Sequence, residues 1–139
     1  MNAVDTNVLV YQMDQSEAVK SPKAVALLRM LAATPVETIL LWQVAAEFLQ
    51  QLRRWEATRG LSRTQWVKEF AAVRSSFRLV IPTSAVLDRS LDLADRYSLS
   101  HWDSMIVAAC IEAGVTKLYT EDMGSPTKFD SLELENPFV

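Results

Sequence analysis

The chain has one cysteine, one histidine and three glycines in 139 residues. A lone cysteine excludes an intrachain disulfide framework. Cys110 also lies inside the apolar run from Met105 to Ile111, where a buried, reduced thiol is expected, as in a reducing cytosol. The single histidine, His101, has no partner for a zinc site and belongs to no Ser-His-Asp order, so it is expected at the surface or at a helix start. With glycine only at 60, 114 and 124, no glycine-rich phosphate loop can form. Long apolar runs are missing as well. No window approaches the ~20 residues needed to span a bilayer, and Asp5 interrupts the only early apolar stretch, so neither a membrane span nor a signal peptide is expected. A soluble, cytoplasmic protein follows as the expectation. Excess positive charge is also lacking, with 14 Lys and Arg against 17 Asp and Glu and a net charge of -3. Binding to nucleic acid would therefore need a local basic patch or bound cations.

What is present is apolar mass, half of all residues, enough for a sizeable core in one domain spanning residues 1–139. Short apolar runs alternate with longer helical periodicity. Strands are expected at 2–4, 37–41, 77–81 and 117–120, with an edge strand at about 132–134. Helices are expected at 6–13, from Ser21-Pro22 (proline in the first helical position) to Thr34-Pro35, at 43–58 closed by Gly60, at 62–75, at 84–97, and at 102–113 stopped by Gly114. This order implies an α/β fold with a central parallel sheet of about four to five short strands and helices on both faces. The functional cleft of such a sheet lies beyond the carboxyl ends of its strands.

Four acids are placed to meet there. Asp5 stands between Ala3-Val4 and Val8-Leu9-Val10, where an unpaired carboxylate would cost several kcal/mol. Asp122 follows the last clear strand, Glu47 lies in the first two turns of the helix after the second strand, and Asp103 opens a helix. The neighbours of Asp103 at i+3, i+4 and i+7 are Ile106, Val107 and Cys110, which puts it on the inward face. Each acid also has an ordinary reading. Asp5 can cap the helix that begins at Thr6, and Ser100-His101-Trp102-Asp103 fits a capping box. Glu47 aligns with Gln50, Gln51 and Arg54 on a solvated face, and Thr120 to Gly124 can be a turn. Taken together, carboxylates gathered in one cleft repel by about 3 kcal/mol per pair at ~5 Å and an effective dielectric of about 20. A divalent cation removes that cost, and all-oxygen ligation points to Mg2+ or Mn2+.

The runs Asp5-Thr6-Asn7, Ala45-Ala46-Glu47-Phe48, Leu99 to Cys110 and Leu118 to Met123, with the terminal Asn136-Pro137-Phe138, resemble the PIN-domain ribonucleases, and within them the VapC-type toxins of bacterial toxin-antitoxin pairs. The resemblance spans essentially the whole chain. It implies a PIN-like fold and an acidic pocket of Asp5, Glu47, Asp103 and Asp122, with Thr6 and Thr120 as supporting polar residues. It also implies Mg2+- or Mn2+-dependent hydrolysis of RNA to 5′-phosphate and 3′-hydroxyl ends, a small antitoxin partner and homodimerisation. Asp5, Asp103 and Asp122 are then the metal ligands, direct or through water, and Glu47 holds water or positions the nucleophile. The small or basic residues usual after the last acid are replaced here by Gly124-Ser125-Pro126-Thr127.

Between Arg53 and Arg78 the chain carries Arg53, Arg54, Arg59, Arg63, Lys68, Arg74 and Arg78 against Glu56 and Glu69 alone. This stretch, above all Arg53, Arg54, Arg59 and Arg63, is the candidate RNA contact, its ordinary reading being solvated helix surface. Trp55 and Trp66 lie within it and suit apolar packing better than base stacking. Two other classes of function stay open. One is a Mg2+-dependent phosphatase or phosphotransferase with Asp5 as nucleophile, which would want an acid where Asn7 stands. The other is a catalytically silent protein-binding module of the same fold.

Overall fold

The computed structural model describes residues 1–139. One six-stranded sheet organises the chain, built from β1 (Asn2–Val4), β2 (Thr38–Leu41), β3 (Arg78–Val80), β4 (Lys117–Tyr119), β5 (Lys128–Phe129) and β6 (Leu132–Glu135) in the order β3-β2-β1-β4-β6-β5. Every pairing is parallel except β5 with β6. The β2 residues are all buried, as expected of a strand covered on both faces, which reads as a continuous apolar run rather than an alternating one.

Six helices surround the sheet: α1 (Thr6–Met13), α2 (Lys20–Ala33), α3 (Trp42–Arg59), α4 (Arg63–Ser76), α5 (Ala85–Tyr97) and α6 (His101–Glu112). Helical crossovers carry the chain from β1 outward to β2 and β3, then back across to β4 on the other side of β1. The reversal lies between β1 and β4, and it places helices on both faces and opens a crevice at the carboxyl ends of these two strands. On α6, Ile106, Val107 and Cys110 are buried, so the face that carries Asp103 does turn inward. Helix α3 ends at Gly60, whose φ of +66° lets its amide reach back to the Trp55 carbonyl. The tryptophans of the basic stretch are structural. Both Trp55 and Trp66 are buried, and the Trp66 indole N–H donates to Glu56 Oε2 at 2.8 Å.

Three elements differ from expectation. Helix α2 begins at Lys20, so Pro22 is its third residue instead of its first; first-turn amides have no intrahelical acceptor, so proline costs little there. The segment around Leu132 to Leu134 is not an edge strand. As β6 it lies between β4 and β5, with Leu132 and Leu134 buried and Glu133 and Glu135 exposed. The outermost strand on that side is β5, two residues long and returned by a turn at Asp130 with φ +52°, too short to carry a period in sequence. No helix is long and apolar enough to cross a membrane.

Candidate active site

Asp5 is the first residue after β1 and the cap of α1. Its Oδ1 accepts from the Thr6 amide at 2.7 Å, so the capping reading is correct as far as it goes. The second oxygen does something a cap does not require. It accepts from Thr120 Oγ1 at 2.8 Å, across the seam between β1 and β4. Only 8% of Asp5 is exposed. Burial pushes its carboxyl up to about 6; the Thr120 hydroxyl and Thr6 amide pull it back, while the charges of Glu47 and Asp122 add to the rise.

Glu47, two turns into α3, accepts from Thr6 Oγ1 at 2.7 Å and from Gln43 Nε2 at 3.1 Å. Asp122 accepts from Asn7 Nδ2 at 3.1 Å, and its amide donates to Thr120 Oγ1 at 3.3 Å. Thr6 and Thr120 thus each donate a hydroxyl to one of the acids, Thr6 to Glu47 and Thr120 to Asp5. Asp103 lies in the first turn of α6, where Ser100 Oγ accepts from its backbone amide at 3.3 Å. The hydroxyl half of the capping box therefore forms, and the Asp103 carboxylate is left facing the crevice. The four acids, with Thr6, Asn7 and Gln43, line one cavity of about 210 Å3. Residues from the ends of β1 and β4 and from helices α1, α3 and α6 meet because the sheet reverses at this point.

Four residues to which the sequence reading gives no role in the site complete it. Asn7 holds Asp122 through its amide N–H, while its buried Oδ1 has no hydrogen-bond partner. Gln43, one helical turn before Glu47, fixes that carboxylate. One turn beyond Asn7, Tyr11 donates to Glu121 Oε2 at 2.6 Å and Lys20 pairs with the same carboxylate, so α1 and α2 anchor the loop that carries Asp122. The spacing of Asn7 and Tyr11 on one helix face was the available signal, but their partners lie 115 and 110 residues away.

The donor set at the cavity is all oxygen, which fits a hard divalent ion. No three His, Cys, Asp or Glu side chains are gathered into a ready-made cage, which leaves room for ligation of the expected kind through water as well as direct. Mg2+ suits such a site, since it keeps several waters and takes only one or two carboxylates directly. The unpartnered Asn7 Oδ1 and the costly ionisation of Asp5 both mark a place short of donors and positive charge.

The basic stretch divides. Arg54 lines a groove adjoining the acid cavity. Arg59 is drawn off to Asp14 at 3.1 Å and lies over the Trp55 ring, Arg63 lies over Trp66, and Arg78 forms two hydrogen bonds with Glu37. Arg53 is exposed and does not line that groove.

This chain is similar to several solved structures over nearly its whole length. They include a toxin-antitoxin complex from Klebsiella pneumoniae (17% identity, TM-score 0.66, covering 99% of this chain and 98% of that one). Another is VapBC2 from Rickettsia felis bound to a DNA fragment from its promoter (16%, 0.73, 97% of each chain). A third is VapC20 from Mycobacterium tuberculosis, a sarcin-ricin loop cleaving toxin (20%, 0.68, 96% and 99%). At such identities the likeness is one of fold. No curated protein sequence matches the chain. The sequence profile of the PIN domain matches residues 3–125, a span that contains all four acids together with Thr6 and Thr120. The chain belongs to the PIN domain family.

Proposed function

We propose that residues 1–139 act as a single-domain, Mg2+- or Mn2+-dependent endoribonuclease of the cytoplasm, the VapC-type toxin of a bacterial toxin-antitoxin pair. The observation that carries this reading is the convergence of Asp5, Glu47, Asp103 and Asp122 on one small cavity at the switch point of the sheet. Two of the similar structures are toxin-antitoxin assemblies and a third cleaves the sarcin-ricin loop, which supports both the partner and the reaction class.

Asp5, Asp103 and Asp122 would hold the divalent ion, directly or through water. When bound, the ion neutralises the phosphodiester and lowers the pKa of water. The rest falls to side chains. Glu47, fixed by Thr6 and Gln43, orients the attacking water and accepts its proton. Thr120 keeps Asp5 charged against its burial, and Asn7 sets the direction of Asp122. The leaving 3′-oxygen takes a proton from solvent water and becomes a hydroxyl, and the phosphate stays on the 5′ end of the other product. An antitoxin would inhibit by covering the cleft with a basic side chain near the acids, and homodimerisation belongs to the same reading.

Incubating the protein with structured RNA, with and without Mg2+, and sequencing the cut ends tests the proposal. Cleavage that needs Mg2+, leaves 5′-phosphates and disappears in Asp103→Asn supports it. Phosphate release from small phosphomonoesters instead would favour the phosphotransferase alternative, and inertness towards both would favour the protein-binding module.

A further inference from the structure

Beside the acid cavity runs a wider groove of about 990 Å3 that shares Thr6, Gln43, Glu47 and Trp102 with it. Two of the four tryptophans are left in solvent along this groove, Trp42 at 52% exposure and Trp102 at 63%. Each adjoins the acid cavity in sequence as well as in space. Trp42 precedes Gln43 at the start of α3, and Trp102 precedes Asp103 at the start of α6. His101 braces the Trp102 indole edge-on, with ring centroids 4.5 Å apart. Further along lie Gln50, Gln51 and Arg54, whose side chains offer amide donors and acceptors and one positive charge. The acid at the far end, Glu112, is offset by Arg89 at 2.5 Å. A volume at the upper end of the small-ligand range leaves room for more than one planar group.

We propose that this groove is a nucleobase subsite. The indoles of Trp42 and Trp102 stack on unpaired bases next to the scissile phosphate, and Arg54 meets a backbone phosphate. The proposal rests on the ribonuclease reading and deepens it by naming the residues of this chain on which an unpaired base would stack. Bases in a duplex are already stacked on one another, and A-form grooves offer them poorly to side chains. Aromatic stacking supplies affinity with little sequence preference, and the neighbouring glutamines add contacts to base edges. An apolar peptide is the rival occupant. Two features favour RNA: the groove shares four lining residues with the cavity where the phosphate must sit, and Arg54 at its wall carries a positive charge that no carboxylate pairs.

The test uses Asp103→Asn protein in Mg2+, so that the RNA stays intact, and single-stranded oligoribonucleotides carrying 2-aminopurine at one position each. Stacking on an indole quenches this fluorophore. One or two adjacent positions should be quenched on binding, and the same sequence in a blunt duplex should not be. Adding Trp102→Ala should remove the quench and weaken binding about tenfold or more, Trp102→Phe should restore most of both, and Trp42→Ala should act in the same direction. In the cleavage-competent protein, Trp102→Ala should raise KM far more than it lowers kcat. Both residues are exposed, so loss of folding does not confound the result. Quenching at no position, or tryptophan variants that bind RNA as tightly as their parent, overturns the subsite. The latter result with loss of a co-purifying protein or second copy would make the groove a protein-docking face. RNA cleavage by wild type in the same buffer separates the two readings: cleavage without quenching sinks the subsite alone, and quenching without cleavage sinks the ribonuclease while base binding stands.

Discussion

Thr120 donates its hydroxyl to Asp5 Oδ2 at 2.8 Å, joining the chain after β4 to the chain after β1 across 115 positions of sequence. The Thr120 oxygen also accepts the Asp122 amide, so one buried threonine serves two acids of the cavity. Thr120→Val keeps the shape and removes both bonds. A hydrogen bond to a buried charge contributes about 1.5–3 kcal/mol, so this variant should melt lower and cleave RNA about tenfold more slowly, while Thr120→Ser keeps most of both. Unchanged melting and activity in the valine variant would remove Thr120 from the site.

Asp5→Asn and Asp103→Asn should each cut RNA below about one-tenth of the wild-type rate while their circular dichroism stays native. In Asp5→Asn the amide oxygen can still accept the Thr6 N–H as a cap, and in Asp103→Asn Ser100 still caps the backbone amide at 103, so the helices do not depend on these charges. Activity above one-tenth in either variant would count strongly against the assignment.

Arg53 and Arg54 changed together to Ala should weaken RNA binding and flatten its dependence on salt, because cations that meet phosphates release counterions. Arg59→Ala should act mainly on stability, since its charge is committed to Asp14 and its plane to Trp55. A salt slope that is the same in the double variant as in wild type would clear the patch of any part in RNA binding.

Two of the acids were legible in sequence because they broke a local pattern, whereas Glu47 and Asp122 fitted an ordinary polar face and an ordinary turn and stood out only by their places at strand ends. Asp5 interrupts an apolar run, and Asp103 sits on the inward stripe of α6. The parallel sheet followed from alternation of short runs and helices, and the crevice from the ends of its strands. Trp102 and Trp42 were not legible as a pair, because nothing local says that the starts of α3 and α6 face one groove. Arg59 looked equivalent to Arg54 on composition, and only Asp14, 45 residues earlier, distinguishes them. The sixth strand, β5, escaped because its two residues are fixed by pairing with β6 rather than by their own pattern.

The Asp5 carboxyl, raised from 3.8 to about 6 in the fold, binds its proton more tightly folded than unfolded. Its contribution to stability is therefore present below about pH 4 and is lost as pH rises through about 6. Ionising it in the fold costs on the order of 3 kcal/mol as an upper figure. In excess chelator, thermal melts should show Asp5→Asn gaining on wild type as pH rises from 4 to 7. A gap independent of pH would show that the substitution acts through packing alone.

Whether the acid cavity is a cation site is tested without any substrate by thermal melting at pH 7.5 and fixed ionic strength, in chelator and then in saturating Mg2+. Wild type should melt below Asp5→Asn in chelator and gain about 2.7 kcal/mol with Mg2+ at about 100 times its dissociation constant, while Asp5→Asn gains little. Wild type unmoved by Mg2+, together with no advantage of Asp5→Asn in chelator, would contradict the shared cation pocket.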